Sequence, residues 1–120
     1  MIDVFKRSNF TSDSNALAVD VLGELGEMWT FLGNVSKAQV YSDAAEEITA
    51  VLNARLWSDD HFVTQLNTDG TFFDKVDYDS NLLATAFVNM TDARLHAVLK
   101  RVDSGVCTHA GVGTYISEQV

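Results

Sequence analysis

The chain has 120 residues, 47% of them hydrophobic, and its 17 acidic and 8 basic residues give a formal net charge of -9. This composition predicts one globular domain and disfavours binding to nucleic acid or to anionic membranes, which requires clustered Lys and Arg. No apolar run reaches the roughly 20 residues that cross a bilayer. The single cysteine, Cys107, excludes an internal disulfide, and His61, His96 and His109 lack the spacing of a zinc site, so no metal or other cofactor is expected.

The first predicted element is a helix from Ser14 to Gly33. Its apolar residues recur at helical spacing, which predicts a buried stripe; they are Leu17, Val21, Leu25, Met28 and Leu32. Its acidic residues Asp20, Glu24 and Glu27 share one narrow exposed face. Gly33 and Asn34 tolerate the left-handed conformation that ends a helix.

A second helix is predicted to begin at Ser36, because Ser36 and Gln39 have the spacing of a capping box. Its apolar face runs from Tyr41 to Leu56. The short connection between the two helices predicts an antiparallel hairpin over residues 14–56.

The segment after Trp57 differs in composition, since β-branched and aromatic residues flank the turn signal Asn67-Thr68-Asp69-Gly70. It predicts a small β-hairpin excursion at about residues 62–73. Two more helices follow, from about Asp79 to Asn89 and from Thr91 or Asp92 to Ser104. We expect them to form a second hairpin, residues 79–104, which the excursion joins to the first hairpin on one side.

The stretch DKVDYDSNLLATAF gathers three carboxylates, Asp74, Asp77 and Asp79, at the entrance of the third helix. Three explanations remain open. Asp79 or Ser80 can cap the helix; Asp77, Asp79 and Asn81 have the spacing that opens a calcium loop, although the Gly and Glu that complete such a loop are missing. Neighbouring carboxylates with perturbed pKa values also suit sugar chemistry.

Two further features bear on sugars and on location. Several aromatic residues, Trp29, Phe31, Trp57, Phe62, Phe72, Phe73 and Tyr78, belong either to the core or to sugar-stacking platforms. Three N-x-S/T sequons, at Asn9, Asn34 and Asn89, favour secretion of a longer parent protein.

In their order and spacing, these segments resemble the six-hairpin α/α-barrel glycoside hydrolases, most nearly the α-L-rhamnosidase-type and amylo-glucosidase-like members. The resemblance covers nearly the whole chain, including NALAVDVLGELGEMWTFLGNVSKAQVYSDAAEEITAVLNARLW, the HFVTQLNTDGTFFDK excursion and NLLATAF with the HAGVGTY ending. It implies a mainly all-α fold in which antiparallel helical hairpins form part of an α/α barrel. Residues 1–120 would then be a fragment of the catalytic domain.

The resemblance also implies an activity. Such barrels commonly invert the anomeric centre with an acid and a base roughly 6.5–9.5 Å apart. Asp3, Asp77 and Asp79 are the implied catalytic carboxylates, and the implied substrate-binding residues are Asp74, Tyr78, Asn81 and Trp57. The second essential carboxylate would come from a later hairpin, so the isolated chain is expected to be inactive, with a carbohydrate and the remaining hairpins as its partners. The alternative is a non-catalytic α-helical binding or interaction module whose acids serve as caps and solvated side chains.

Overall fold

The computed structural model describes residues 10–73 and 77–104, together with the backbone of two short strands at 107–108 and 111–112. In chain order its elements are β1 (Phe10–Thr11), α1 (Ser12–Phe31), α2 (Val35–Arg55), β2 (Trp57–Ser58), β3 (His61–Phe62), β4 (Gln65–Leu66), β5 (Phe72–Phe73), α3 (Tyr78–Phe87), α4 (Asp92–Asp103), β6 (Cys107–Thr108) and β7 (Gly111–Val112). The described part is mainly helical with a small antiparallel sheet, as predicted. None of the described helices is both long and apolar enough to cross a membrane.

The first hairpin, α1 and α2, is confirmed. Near the turn, the Lys37 ammonium lies over the Trp29 ring, 4.1 Å from its centroid. At a greater distance from the turn, Gly26 faces Ser42. Since earlier residues of α1 meet later residues of α2, the two helices run in opposite directions. They approach closely here, because a Cβ on Gly26 would lie 3.0 Å from the Ser42 hydroxyl oxygen. Gly33 makes the turn between them with a φ of 77°.

The predicted cap of α2 is wrong by two residues. The helix begins at Val35, and the side chain of Asn34 accepts a hydrogen bond from the Lys37 amide at 3.0 Å. Ser36 therefore lies inside the first turn. Because Gly33 reverses the chain, Asn34 is the last residue outside the helix, and its amide oxygen reaches the free N–H three residues on.

The predicted buried stripe of α1 is also wrong. Leu17, Val21 and Met28 are 44%, 55% and 56% exposed, whereas the buried residues beyond the first turn are Ala16, Val19 and Gly26. Both sets recur at helical spacing. The face with the smaller side chains is buried because it lets the α2 and α3 backbones come close, and the larger residues are left outside.

Residues 61–66 are all buried, so the predicted β excursion is a central segment and not a lateral one. The strand β4 pairs with both β1 and β5, while β2 pairs with β3. The predicted turn is confirmed at Gly70, which has a φ of 85°. In the same turn the Thr71 hydroxyl and the Thr71 amide both donate to the Asp69 carboxylate. The hydroxyl hydrogen bond has the larger effect, and together the two hold the pKa of Asp69 below its ordinary value.

The second hairpin is looser than predicted, because α3 packs more extensively on α1 than on α4. The start of α4 is instead attached to the end of α2, where the Arg94 guanidinium donates to the Asn53 carbonyl oxygen and side-chain oxygen at 2.8 and 2.9 Å. The core that unites the elements contains the buried residues Ala16, Val19, Leu52, Leu56, Phe62, Val63, Leu66, Ala84, Val88 and Val98.

The position of the α2 cap generates a test. We expect Asn34→Ala to lower the free energy of unfolding by about 1 kcal/mol, because the Lys37 amide loses its acceptor. Ser36→Ala is the matched control and should cost little, since Ser36 is exposed and lies within the helix. Urea unfolding followed by circular dichroism measures both, and a larger loss for Ser36→Ala would restore the capping box predicted from the sequence.

Candidate functional site

Asp77 is the cap of α3. It is fully buried, and one of its carboxylate oxygens accepts from the Asp79 amide at 2.9 Å while the other accepts from the Ser80 hydroxyl at 2.8 Å. The sequence placed this cap at Asp79 or Ser80, which is two or three residues too late. A carboxylate at this position also interacts favourably with the positive end of the helix dipole.

Asn81 fastens α3 to the central segment. Its side-chain oxygen accepts from the Phe62 amide at 2.8 Å, and its side-chain nitrogen donates to the Phe62 carbonyl at 3.1 Å and to the Asp77 carbonyl at 2.8 Å. We call these contacts the Asn81 clamp. Because every polar group of this buried amide is directed to backbone, the predicted substrate-binding role of Asn81 has no structural support.

The first turn of α1 reaches the same central segment. The Ser12 hydroxyl donates to the Val63 carbonyl, and the Ser12 amide donates to the Thr64 carbonyl at 3.2 Å. The next residue, Asp13, is a buried carboxylate whose oxygen accepts from the Ser14 amide at 2.7 Å. The entrances of α1 and α3 therefore converge on residues 62–64.

This convergence brings a residue into the site that the sequence analysis did not single out. Asp13 and Asp77 are both buried at the entrances of helices that pack on each other. The signal was present in Thr11-Ser12-Asp13, an acid in the first turn of a helix, but the helix was predicted to begin at Ser14 and the acid was left outside it.

The other predicted residues fall in different environments. Tyr78 is buried and packs against Val102, whereas Asp79 is half-buried in the first turn of α3. Trp57 is half-buried with its ring edge-on to Phe62, and the Arg94 guanidinium covers the ring 4.6 Å from its centroid. Arg94 therefore covers one face of the Trp57 ring.

Two predicted residues, Asp3 and Asp74, and the sequon at Asn9 lie outside the described residues. The sequon residues Asn34 and Asn89 are exposed at the two helix–helix connections. Asn34 uses its side-chain oxygen as the α2 cap.

The predicted acidic face of α1 is confirmed as the wall of an open groove. Asp20, Glu24 and Glu27 line it together with Glu46 of α2, and its volume is about 600 Å³. The end of α3, at Ala86 and Phe87, closes one side. Since α3 has 10 residues, or about 15 Å at the helical rise, this groove lies at the opposite end of α3 from Asp77 and forms a separate feature.

Within residues 10–73 and 77–104, no three His, Cys, Asp or Glu side chains are grouped closely enough to hold a metal ion. No protein-family model matches the chain, and no curated protein matches it either.

The Asn81 clamp is open to a direct test. Asn81→Ala removes the partners of both the Phe62 amide and the Phe62 carbonyl, so we expect a loss of about 2–4 kcal/mol in the free energy of unfolding. Asn89→Ala is the control, because Asn89 is exposed. Urea denaturation gives both values. Equal stability of the two variants would show that the clamp contributes nothing and would reopen a ligand-binding role for Asn81.

Proposed function

We propose that this chain is a segment of a glycoside hydrolase of the six-hairpin α/α-barrel class, with its cleft at the entrances of α1 and α3. The observation that carries the proposal is the packing of α1 on both α2 and α3. Closing hairpins into a ring requires the first helix of each hairpin to contact its own partner and the first helix of the next hairpin. The α1, α2 and α3 contacts have this pattern.

Among the implied catalytic carboxylates, the proposal assigns Asp79 as the one that meets substrate or water. It is half-buried and lies in the first turn of α3. Asp77 is a positioning residue, because its two oxygens are engaged by the Asp79 amide and the Ser80 hydroxyl. Asp3 and Asp74 stay in the proposal on the resemblance alone, and an inverting mechanism would take its second carboxyl group from another hairpin.

The outer face of α1 supports a larger helical assembly. Leu17, Val21, Met28 and Leu32 are exposed on this face, and Leu32 reaches 68%. Contiguous exposed apolar residues of this kind mark surfaces that another element covers. A neighbouring hairpin of the same ring would cover them.

A second candidate function is a non-catalytic α-helical interaction module. It is favoured by the structural use of Asp77 and Asn81, which removes two of the implied site residues from contact with solvent. In that case the α1 face and the neighbouring acidic groove would form the contact surface for another protein.

Activity assays on the isolated chain follow from the proposal. We expect no release of sugar from aryl glycosides above the uncatalysed rate, because each missing acid or base group forfeits about 10²–10⁴-fold in rate. Sugar release by the purified chain that is abolished by Asp77→Asn or Asp79→Asn would contradict the segment proposal and indicate a self-sufficient enzyme.

Glycan binding distinguishes the two candidate functions. On a glycan array we expect weak binding by the isolated chain that Asp79→Asn reduces. Asp92→Asn is the matched control, because Asp92 is also an acid in the first turn of a helix and is exposed. Absence of binding to every glycan, or equal binding by both variants, would favour the interaction module.

The exposed face of α1 gives an association test. We expect the isolated chain to self-associate at micromolar concentration and the double variant Leu17→Glu with Val21→Glu to shift it to monomer, because charged residues replace the apolar surface. Val40→Glu on the exposed side of α2 is the control. Sedimentation velocity over a concentration series measures the shift, and a wild-type chain that is monomeric throughout would show that this face needs no cover.

A further inference from the structure

A basic groove, lined by His96, Lys100 and Arg101 of α4 and by Asp60 of the β2–β3 turn, lies away from the helix entrances. Its volume is about 430 Å³. Small alanine residues, Ala93 and Ala97, line the same side of α4 and leave the space open. The groove gathers two lysine or arginine side chains of a chain that has only 8.

Arg101 forms no ion pair with Asp60, the described carboxylate that lines this groove. It is half-buried, its Nε is buried without a hydrogen-bond partner, and it forms no ion pair with any described residue. Removing part of a guanidinium group from water is unfavourable unless a hydrogen-bond acceptor or an opposite charge replaces the water. No carboxylate of the described residues pairs with Arg101, so the described part of the chain leaves this cation without an ion-pair partner.

The carboxylate that faces the groove is engaged elsewhere. The Asp60 carboxylate lies 2.8 Å from the His61 Nδ1. It forms no ion pair with Arg101 or Lys100. Lys100 and Arg101 therefore make their side of the groove positive. The Asp60 carboxylate makes the opposite side less favourable for an anion.

We propose that the basic groove binds a small oxyanion group, a phosphate, sulfate or carboxylate, with Arg101 and Lys100 as its cationic contacts. The planar guanidinium presents N–H groups in the fork geometry that oxyanions accept, and Lys100 adds a mobile point charge. A desolvated cation interacts more strongly with an anion than a solvated one does. The inference does not depend on the glycosidase proposal, because it uses a different surface and different residues.

The test is a titration of the ¹⁵N-labelled full chain with sodium phosphate, sodium sulfate and sodium acetate at constant ionic strength, with sodium chloride as the balancing salt. We expect saturable shifts of the α4 amides with at least one of the three oxyanions and none with chloride alone. Arg101→Gln should weaken that binding about tenfold or more, because a hydrogen bond to a charged group is lost. Arg55→Gln, the same change at an exposed position in the last turn of α2, should leave it unchanged.

Lys100→Gln keeps the test decisive if Arg101→Gln fails to fold, because Lys100 is exposed and only its backbone carbonyl, which the substitution leaves in place, accepts a described hydrogen bond, from the Ser104 amide. It should also weaken binding several-fold. The proposal is overturned if no oxyanion binds, if chloride produces the same shifts, or if the folded Arg101 and Lys100 variants bind as the wild-type chain does. The oxyanion that binds most tightly identifies the ligand class.

Discussion

The structure depends on the double hydrogen bond between the Asn81 side chain and the Phe62 backbone. The central segment, residues 61–66, is buried along its whole length, and its short strands leave part of its backbone without ladder partners. Buried backbone groups without partners are costly, so side chains from the surrounding helices must supply them. Asn81 does so from α3 and Ser12 from α1, which is how two helices and an extended segment share one core.

Local signals made much of the fold predictable. Gly33, the Asn67–Gly70 turn and the start of α4 at Thr91 follow from the preferences of a few neighbouring residues, and the structure has all three. The Asn81 clamp could not be predicted in this way, because its partner Phe62 is 19 residues away. Nothing local in HFVTQL distinguishes a surface hairpin from a buried connection. Because the Asn81 clamp was not predicted, the central segment was expected to be a surface excursion.

The error on α1 has a different origin. At 3.6 residues per turn, Ala16, Val19 and Gly26 lie on the side of the helix opposite Leu17, Val21 and Met28, and both sides are apolar. Periodicity identifies the two faces without choosing between them. Packing distance decides, since Gly26 permits contact with Ser42 that a leucine would block. A helix with two apolar faces is typical of an element with neighbours on both sides, which is why the ring proposal rests on α1 more than on any acidic residue.

The two carboxylates at the entrance of α3, Asp77 and Asp79, differ in their burial and in their hydrogen bonds. Asp77, with both oxygens engaged, is a structural acid whose removal would loosen the first turn of α3. The Asp79 amide donates a hydrogen bond to Asp77, and Asp79 itself is only half-buried. A group that acts on a substrate must be held in position by residues whose own conformations are fixed. Asp77 fixes the Asp79 backbone, and Asn81 ties the same turn to the core through the Asp77 carbonyl. The buried residues of this entrance therefore supply its rigidity, and under the glycosidase proposal the half-buried Asp79 is the carboxylate that would contact substrate or water.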